Sequence, residues 1–318
     1  MRTRAQGHER KLAGVVIIGA IALASTPAWA QRFPAEEFWV PLRCKGGVIV
    51  DPHRDQSGAN DERDIVGDAE RPAGHRSADV DHLFLRMRVD VDPAPRGDPR
   101  PFAWRVLLDT DGDNRTYEVL IAAAGTGAGR RVTLYRNTET AVPDDVTDPP
   151  DEPAVASYPF SEKARSVEAP GSSWGAGPDY FLELAVPWRD LEPLGVTPTS
   201  VVGAWLTTSS SPNGWNGDFA CHDGRTGTPT FSETAPDKIV LDPFVDTDGD
   251  GFTDQTELDN GSNPTEPESF PTPDGRPDAL LLRGGAGCAA AASVVPLGAA
   301  WLALAGAGLL RRRAKRTR

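Results

Sequence analysis

Residues 82–92, HLFLRMRVDVD, alternate apolar and other side chains along almost their whole length. Because successive side chains of a β-strand point to opposite faces, this period of two predicts a strand with one buried face and one face in water. The predicted inward set is Leu83, Leu85, Met87, Val89 and Val91, and the predicted outward set is Phe84, Arg86, Arg88 and Asp90. Such a strand needs further strands beside it, so the flanking sequence decides the architecture.

The sequence around this stretch supplies further candidate strands. Residues 102–110 (FAWRVLLDT) and 116–124 (TYEVLIAAA) flank the turn DGDN and predict a β-hairpin. Proline and glycine are dense between the apolar runs, which is typical of a sandwich of short strands. A short helix is predicted within residues 188–194, WRDLEPL. Strands are also predicted within 130–137 (RRVTLYRN), 179–187 (DYFLELAVP), 200–209 (SVVGAWLTTS) and 237–241 (DKIVL).

The order of these parts resembles a known group of domains. DERDIVGD at 61–68 comes first, LFLRMRVD and the hairpin LLDTDGD follow, and FLELAVPWRDL at 181–191 precedes a GAW strand. A strand that runs into proline, tryptophan and a short helix is similar to the carbohydrate-binding family 9-like, or DOMON-like, domains. The resemblance implies a mainly β fold in which residues 31–243 form an antiparallel β-sandwich of immunoglobulin-like or jelly-roll type. One sandwich hosts many ligands, so function needs separate evidence.

The charge of the central region excludes one class of partner. Of the 46 acidic residues only Glu9 precedes residue 31, whereas four of the 33 basic residues precede residue 31 and six follow residue 287. Residues 31–287 therefore carry 45 acidic and 23 basic side chains, a net charge of −22. Nucleic acid is not expected as a partner, because its binding relies on clustered lysine and arginine. Calcium or a cationic surface suits this charge.

The N-terminus has the order of parts of an export signal. The basic segment MRTRAQGHERK precedes the apolar run LAGVVIIGAIALA, and Ala28-Trp29-Ala30 follows with small residues at both outer positions. This order predicts a secretory signal peptide over residues 1–30, cleaved after Ala30. An uncleaved N-terminal anchor is the alternative.

The C-terminus has the properties of a membrane anchor. Residues 289–310 contain no charged side chain, and at about 1.5 Å per residue a helix of this length crosses a bilayer core. Six basic residues follow, which by the positive-inside rule stay in the cytoplasm and leave the body of the chain outside. A plain single-pass anchor over residues 288–318 is one interpretation.

Gly287 and Cys288, directly ahead of this apolar run, support a second interpretation. Glycine, cysteine, a small-residue apolar helix and an arginine-rich end together resemble the C-terminal sorting signal of myxobacterial surface proteins. The resemblance implies processing near Cys288, a lipid on its thiol, and display on the surface of a Gram-negative bacterium, at the outer membrane. Cys44 and Cys221 then remain as a pair, which is predicted to form a disulfide in an oxidising compartment; two free thiols are the alternative.

Residues 246–257, DTDGDGFTDQTE, carry the strongest chemical signal in the chain. They fill the twelve-residue calcium pattern, with Gly251 at the position where the sharp turn needs positive φ. Five carboxylates this close repel one another without a cation, so a calcium site is favoured over a solvated acidic loop. The predicted ligands are Asp246, Asp248, Asp250, the Phe252 carbonyl, Asp254 (directly or through water) and Glu257.

The surroundings of this loop differ from those of an EF-hand, because a strand-like DKIVLDPFV stands where a first helix is needed. Residues 244–263 instead look similar to the calcium loops of thrombospondin type 3 repeats, here in a single copy. The proline-rich residues 264–287 predict an extended spacer. A weaker acidic pattern at Asp109, Asp111 and Asp113 admits a second ion site, but Asn114 and Leu120 at its key positions favour a plain hairpin turn.

These observations predict a calcium-binding β-sandwich at the cell surface, anchored in the membrane, with a role in ligand binding, adhesion or envelope structure. Its expected partners are the membrane and an extracellular polysaccharide or another surface protein. Carbohydrate binding is the first alternative, since Trp174 and Trp215 lie in polar loops where an indole stacks on a sugar or caps the sandwich. A secreted glycoside-active enzyme is the second alternative, although no spacing of carboxylates singles out a catalytic pair.

Overall fold

The alternating stretch at residues 82–92 forms the central strand of one of two large antiparallel sheets. The computed structural model describes residues 32–55, 60–126, 129–146, 148–150, 152–210, 217–222 and 229–271. All of them fall within one compact unit, Met1–Pro277. The strands are β1 (Val40–Pro41), β2 (Arg43–Cys44), β3 (Gly47–Val48), β4 (Gly74–Ala78), β5 (His82–Val89), β6 (Ala103–Asp109), β7 (Val119–Ala124), β8 (Arg131–Arg136), β9 (Ala154–Pro159), β10 (Ala164–Glu168), β11 (Tyr180–Pro187), β12 (Val201–Ser209) and β13 (Ile239–Val240).

The helices that the structure describes are short. The α-helices are α1 (Phe160–Lys163), α2 (Trp188–Leu191) and α3 (Asp254–Asn260), and the 3-10 turns are Glu36–Phe38, Asp61–Arg63, Pro95–Gly97, Glu192–Leu194 and Ser232–Thr234. The predicted helix within 188–194 is α2 followed by one of these turns. Pro187 ends β11 and directly precedes this helix.

The two large sheets have five and six strands. The first has the order β1-β4-β5-β11-β10, the second has the order β13-β12-β6-β7-β8-β9, and β2 pairs with β3 in a small separate ladder. Neighbouring strands are antiparallel throughout. The predicted hairpin is confirmed, since β6 pairs with β7 from Ala103↔Ala124 to Leu108↔Val119. The fold is thus mainly β and is a β-sandwich, as predicted.

The core lies between the two sheets. The predicted inward positions Leu83, Leu85, Met87 and Val89 are buried there, while Val91 lies beyond the end of β5 and is half-buried. Alternate residues of β6, β7, β11 and β12 meet them from both sheets. Burial of apolar side chains at about 25 cal/mol per Å² is the main favourable term for such a sandwich. The core residues on β6, β7, β11 and β12 are Trp104, Val106, Leu108, Val119, Ile121, Ala123, Leu182, Leu184, Val186, Val202, Ala204 and Leu206.

The prediction that the other face of β5 lies in water is wrong. Phe84, Arg86, Arg88 and Asp90 are all buried, because segments distant in sequence cover this side of the sheet. The Arg86 guanidinium carbon lies 4.6 Å from the ring centre of Trp39 and 3.8 Å from that of Phe181. The Arg88 guanidinium carbon lies 4.3 Å from the Phe181 ring centre. Arginine side chains packed against aromatic rings, rather than water, therefore surround the polar groups of this face.

The outer face of the six-stranded sheet is also covered. Trp205 on β12 and Leu107 on β6 pack there with aromatic side chains from the loops before and after the strands. Phe231 contributes most of the ring contacts, with its centroid 5.0 Å from that of Trp205 and 5.7 Å from that of Tyr117. Loops thus turn a two-layer sandwich into a thicker body in which both faces of both sheets contain buried residues.

Candidate metal centre

The acidic loop at residues 246–257 lies between the last strand of the sandwich and α3. The Asp254 N–H donates to the Val245 carbonyl at 2.9 Å and closes the loop. Gly249 and Gly251 have φ of 76° and 98°, in the left-handed region that L side chains rarely adopt. The predicted positive φ at Gly251 is confirmed.

The three aspartates at alternate positions accept hydrogen bonds from the loop backbone, and some of their oxygens have no donor among the described residues. Asp246 accepts the N–H groups of Gly249 at 2.8 Å and Gly251 at 3.0 Å. Asp248 and Asp250 each use one oxygen, Oδ1, to accept the N–H two residues later. One oxygen of each aspartate lies within 4.8 Å of the corresponding oxygens of the other two. The turn geometry thus brings three carboxylates to one point.

Glu257, in the first turn of α3, lies near enough to Asp248 and Asp250 for their charges to act on it. Thr253 caps the helix by accepting the Thr256 N–H, and this cap sets the start of the helix so that Glu257 lies against the loop. The Glu257 side chain is 0% exposed, and neither of its carboxylate oxygens has a hydrogen-bond partner among the described residues. Burial, followed by the charges of Asp248 and Asp250, raises the pKa of Glu257.

Four buried carboxylate oxygens therefore lack a donor in the described structure. They are Oδ2 of Asp248, Oδ2 of Asp250 and both oxygens of Glu257. Buried polar atoms in native proteins nearly always have partners, and several carboxylates close together have the further cost of mutual repulsion. A hard divalent cation removes both costs, since calcium takes six to eight oxygen ligands and tolerates irregular geometry. The residues present fit a calcium ion.

The remaining two predicted ligands have different positions. Asp254 is buried, and its two oxygens accept the N–H of Thr247 at 2.7 Å and the hydroxyl of Thr247 at 2.6 Å. Asp254 thus fastens the start of α3 to the loop and is less free to ligate an ion than Glu257. Phe252, predicted to offer its carbonyl, directly precedes the helix cap, and its ring is exposed.

The loop and α3 are docked onto the sandwich, which the sequence pattern did not indicate. The Gln255 side-chain oxygen accepts the Val240 N–H of β13 at 2.9 Å and an N–H of Arg76 of β4 at 2.7 Å. Arg76 is fully buried and also donates to the carbonyls of Val240 and Pro41. An exposed ion pair between Arg43 and Asp259 adds a contact at 2.7 Å. The acidic loop at 246–257 and α3 therefore belong to the same packed unit as the sheets.

The second acidic turn gathers a different set of residues from the predicted one. Asp109 and Asp111 lie within 4.8 Å of Glu118, whereas Asp113 accepts the Arg115 N–H. Most of these carboxylates have donors: Asp109 accepts the Gly112 N–H at 2.6 Å, and Glu118 accepts the N–H of Thr110 at 2.7 Å. The sequence pattern did not single out Glu118. This residue lies one position before β7, and only the β6–β7 register shows that it faces Asp109. Asp109 and Glu118 are thus held by donors of the turn, unlike the oxygens of the 246–257 loop that lack a partner among the described residues.

The predicted disulfide is confirmed. Cys44 of β2 and Cys221 are bonded across a sequence separation of 177 residues, with their Cα atoms 6.6 Å apart. The Cys221 N–H also donates to the Val50 carbonyl at 3.2 Å. The crosslink ties the loop after β12 to the N-terminal edge of the sandwich.

The residues proposed for sugar stacking and processing have mixed positions. Trp174 is half-buried, and the Arg71 guanidinium carbon lies 4.4 Å from its ring centre, so one face of the indole already has a partner. Trp215, Ala30, Gly287 and Cys288 lie outside the described residues, as does the predicted membrane span at 289–310. None of the helices in the described part of the chain combines the length and the apolar character that a bilayer crossing requires.

Comparison with protein-family models, curated proteins and solved structures found no match to this chain. Candidate functions therefore rest on the arrangement of the residues themselves. Within the described residues of this loop and α3, the buried oxygens without a hydrogen-bond partner belong to Asp248, Asp250 and Glu257.

Proposed function

We propose that this protein is a calcium-binding β-sandwich that acts at the bacterial cell surface in ligand binding, adhesion or envelope structure. The observation that carries the proposal is the set of four buried, unpartnered carboxylate oxygens on Asp248, Asp250 and Glu257. Calcium supplies positive charge and coordination to these oxygens when bound. Asp246 adds a further ligand, and the Phe252 carbonyl and Asp254 remain candidates for the rest of the shell.

The proposed role of the ion is to hold the loop and α3 in their docked position. Glu257 comes from the helix and the aspartates from the loop, so an ion that binds both closes the junction between them. Gln255, two residues before Glu257, joins that helix to β13 and to Arg76. Calcium binding therefore stabilises an edge of the sandwich as well as the loop itself.

An extracytoplasmic location is part of this proposal. Disulfides such as Cys44–Cys221 persist in oxidising compartments and are rare in the cytosol. Calcium sites of extracellular modules work at affinities of about 10⁻⁴–10⁻³ M, which a single loop can reach. The predicted signal peptide, the C-terminal sorting segment and an immunoglobulin-like or jelly-roll type of sandwich fit this location and role.

Carbohydrate binding is a second candidate, and a cleft whose wall includes Phe244, two residues before the acidic loop, favours it. The cleft has a volume of about 420 Å³, and its wall includes the aromatic rings of Phe33, Phe38, Phe84 and Phe244. Phe38 and Phe244 are about half exposed and contact each other edge to face at 6.2 Å between centroids. Exposed aromatic rings are the surfaces on which sugars stack. This cleft suits a sugar better than Trp174, whose ring Arg71 already covers.

A glycan array with calcium and with chelator tests the second candidate. Retention of a polysaccharide that is lost in Phe244→Ala supports sugar binding at the cleft, and Val80→Ala, at another exposed apolar residue, serves as the control. Equal retention by the wild type and Phe244→Ala would remove the cleft from consideration.

Calorimetric titration with calcium tests the principal proposal. We expect Asp248→Ala and Glu257→Gln each to remove one binding event, and Glu266→Gln, at an exposed acid beyond α3, to leave the titration unchanged. A wild-type chain that gives no heat at millimolar calcium, or a Glu257→Gln chain that titrates like the wild type, would contradict it.

A further inference from the structure

We propose that the sandwich contains a second divalent-cation site, separate from the 246–257 loop, at Asp51, Asp55 and Asp218. These three residues are called the buried triad below. Each offers a carboxylate oxygen within 4.8 Å of the others. No sequence pattern groups them, because Asp218 follows β12 while Asp51 and Asp55 precede β4.

The buried triad is shielded from water. Asp51 is 1% exposed, Asp218 6% and Asp55 8%. The burial of a carboxylate without a partner is costly, so aspartate is rarely buried to this extent unless it is paired or coordinates a metal. Three of them at one point need a specific explanation.

An independent observation shows that two of the three are poised for a ligand. Neither oxygen of Asp51 and neither oxygen of Asp55 has a hydrogen-bond partner within the described residues. Asp218 differs, since it accepts the N–H groups of Ile65 at 2.6 Å and Phe219 at 2.8 Å. One carboxylate is thus fixed by the backbone, and the other two direct unpartnered oxygens to the same place.

The charges around the triad do not balance it. Asp64 and Asp90 lie beside it and are themselves 0% and 1% exposed, which brings the number of buried carboxylates to five. His53 lies 3.4 Å from Asp90 and 3.7 Å from Asp64, and Arg63 acts electrostatically on Asp218. Among the described residues, His53 and Arg63 therefore lie beside five buried acids, so positive charges are fewer than negative ones there. A bound divalent cation supplies the missing positive charge.

Hydrogen bonds hold the backbone at Asp51 and Asp218, two of the three residues of the triad. Asp51 and Gly67 exchange two backbone hydrogen bonds of 2.9 Å, and Asp218 pairs with Thr208 through 2.9 Å and 3.0 Å bonds. The disulfide at Cys221 lies three residues after Asp218, and the Cys221 N–H donates to the residue before Asp51. The crosslink therefore keeps the two halves of the triad together.

The donor set identifies the class of cation. Among the described residues, the donor set is three carboxylates without a thiolate or imidazole, and such an all-oxygen set suits a hard cation such as calcium better than zinc. We therefore assign calcium to the buried triad and use calcium itself as the probe.

The experiment uses the full chain in a Glu257→Gln background, so that the loop site does not contribute. We expect this chain, stripped with chelator and titrated with calcium, to bind one ion and to melt at a higher temperature with calcium than without. Adding Asp51→Asn, or separately Asp55→Asn, is expected to abolish both the stoichiometric binding and the calcium-dependent shift in Tm. Asp81→Asn, at an exposed aspartate, is the matched control.

The effect of Asp51→Asn on Tm distinguishes a metal site from a purely acidic cluster, because a metal site gives it opposite signs with and without calcium. Without calcium, Asp51→Asn removes repulsion and is expected to raise Tm relative to its parent, whereas with saturating calcium it is expected to lower Tm relative to its parent. A variant more stable than its parent in both conditions, or calcium binding unchanged in both Asp51→Asn and Asp55→Asn, would overturn the proposal. Loss of calcium binding from Glu257→Gln alone would also overturn it, and would leave the loop site standing.

Discussion

Arg86 carries much of the organisation of the outer face of the five-stranded sheet. Its guanidinium lies between the rings of Trp39 and Phe181 and donates two hydrogen bonds of 2.7 Å to the Glu36 carboxylate. The same hydrogen bonds lower the pKa of Glu36. Buried Glu183 lies 3.7 Å from Arg86, so removal of the guanidinium also leaves that acid with less compensation.

We predict that Arg86→Ala destabilises the protein by roughly 3–5 kcal/mol, because it removes the buried ion pair with Glu183 together with the stack on Trp39 and Phe181. Arg86→Lys keeps the charge but loses the planar fork, and we expect a cost of about 1–2 kcal/mol. Urea unfolding measures both. Arg130→Ala breaks an exposed ion pair with Asp98 and should cost less than about 1 kcal/mol. A loss in Arg86→Ala no larger than in Arg130→Ala would show that the stack contributes little.

His75, on the same face, gives the protein a specific acid sensitivity. Its ring packs edge to face on Phe181, with Arg86 and Arg88 as its charged neighbours. Burial, and then those two positive charges, lowers the pKa of His75 to about 2. In the unfolded chain it takes up a proton near pH 6.5, so the unfolded state binds more protons below that pH and stability falls as pH falls.

The wild-type chain is expected to lose stability between pH 7.5 and pH 5. We predict that this loss is about 2 kcal/mol smaller in His75→Gln. The measurement is the free energy of unfolding of both chains at the two pH values in the same buffer. Parallel changes in the wild type and in His75→Gln would refute this role for His75.

For single residues, the sequence correctly predicted the inward face of β5 and not its other face. The period of two correctly identified Leu83, Leu85, Met87 and Val89 as core positions, because strand geometry is local. It failed for Arg86 and Arg88, because Trp39, Trp174 and Phe181, which cover them, are tens of residues away. An alternating pattern reports the polarity of a face and does not report what covers it.

The loop and α3 form the element that links the proposed calcium site to the sandwich. Gln255 is the connecting residue, since its single side-chain oxygen satisfies both the Val240 N–H and an N–H of buried Arg76. Burial lowers the pKa of Arg76 to about 10.

We predict that Gln255→Ala costs about 2–3 kcal/mol, because it leaves two buried donors without an acceptor. We also expect calcium to bind this variant but to raise its Tm less than that of the wild type, since the loop ligands remain while the link is lost. Calcium titration combined with thermal melting measures both effects. Asp98→Asn is the control, because its exposed pair with Arg130 contributes about 0–1 kcal/mol. An unchanged calcium-dependent Tm shift in Gln255→Ala would contradict the coupling.

Within this element, what is local in sequence could be predicted. The spacing of Asp246, Asp248, Asp250 and Glu257 indicated one cluster, and the structure brings the three aspartates within 4.8 Å with Glu257 buried beside them. The capture of Asp254 by Thr247 was not predicted, since it depends on the rotamers of a particular turn. Docking through Gln255 was missed for the same reason as the covering of Arg86: its partners are far along the chain.

For the whole molecule, the disulfide closes most of the sandwich into one loop. A crosslink over a separation of 177 residues contributes about 5 kcal/mol in the chain-entropy model. We predict that the Cys44→Ser, Cys221→Ser double variant loses stability of this order. We also expect a lower calcium affinity in the Glu257→Gln background, because Asp51 and Asp218 are less firmly held. Urea unfolding and calorimetry test the two statements, and an unchanged unfolding midpoint would contradict the first.

The two-sheet architecture and the cysteine pair could be predicted, since strand periodicity and the cysteine count are properties of the sequence itself. The strands β4, β9 and β10 were missed: GHRSA and ARSVE lack the apolar alternation, and the AVASYP strand is largely exposed at the sheet edge. The buried triad could not be found at all, because residues 51 and 218 meet through strand pairing and the disulfide.

The central claim is that calcium neutralises carboxylates that the fold buries without partners. It is tested most directly by the free energy of unfolding of the wild-type chain in urea, with saturating calcium and with chelator. At a calcium concentration about 100 times Kd, one site adds about 2.7 kcal/mol, and the proposed two sites add about twice that. We predict a chain that is more stable in calcium by at least the one-site amount, and equal stability in calcium and in chelator would contradict the account.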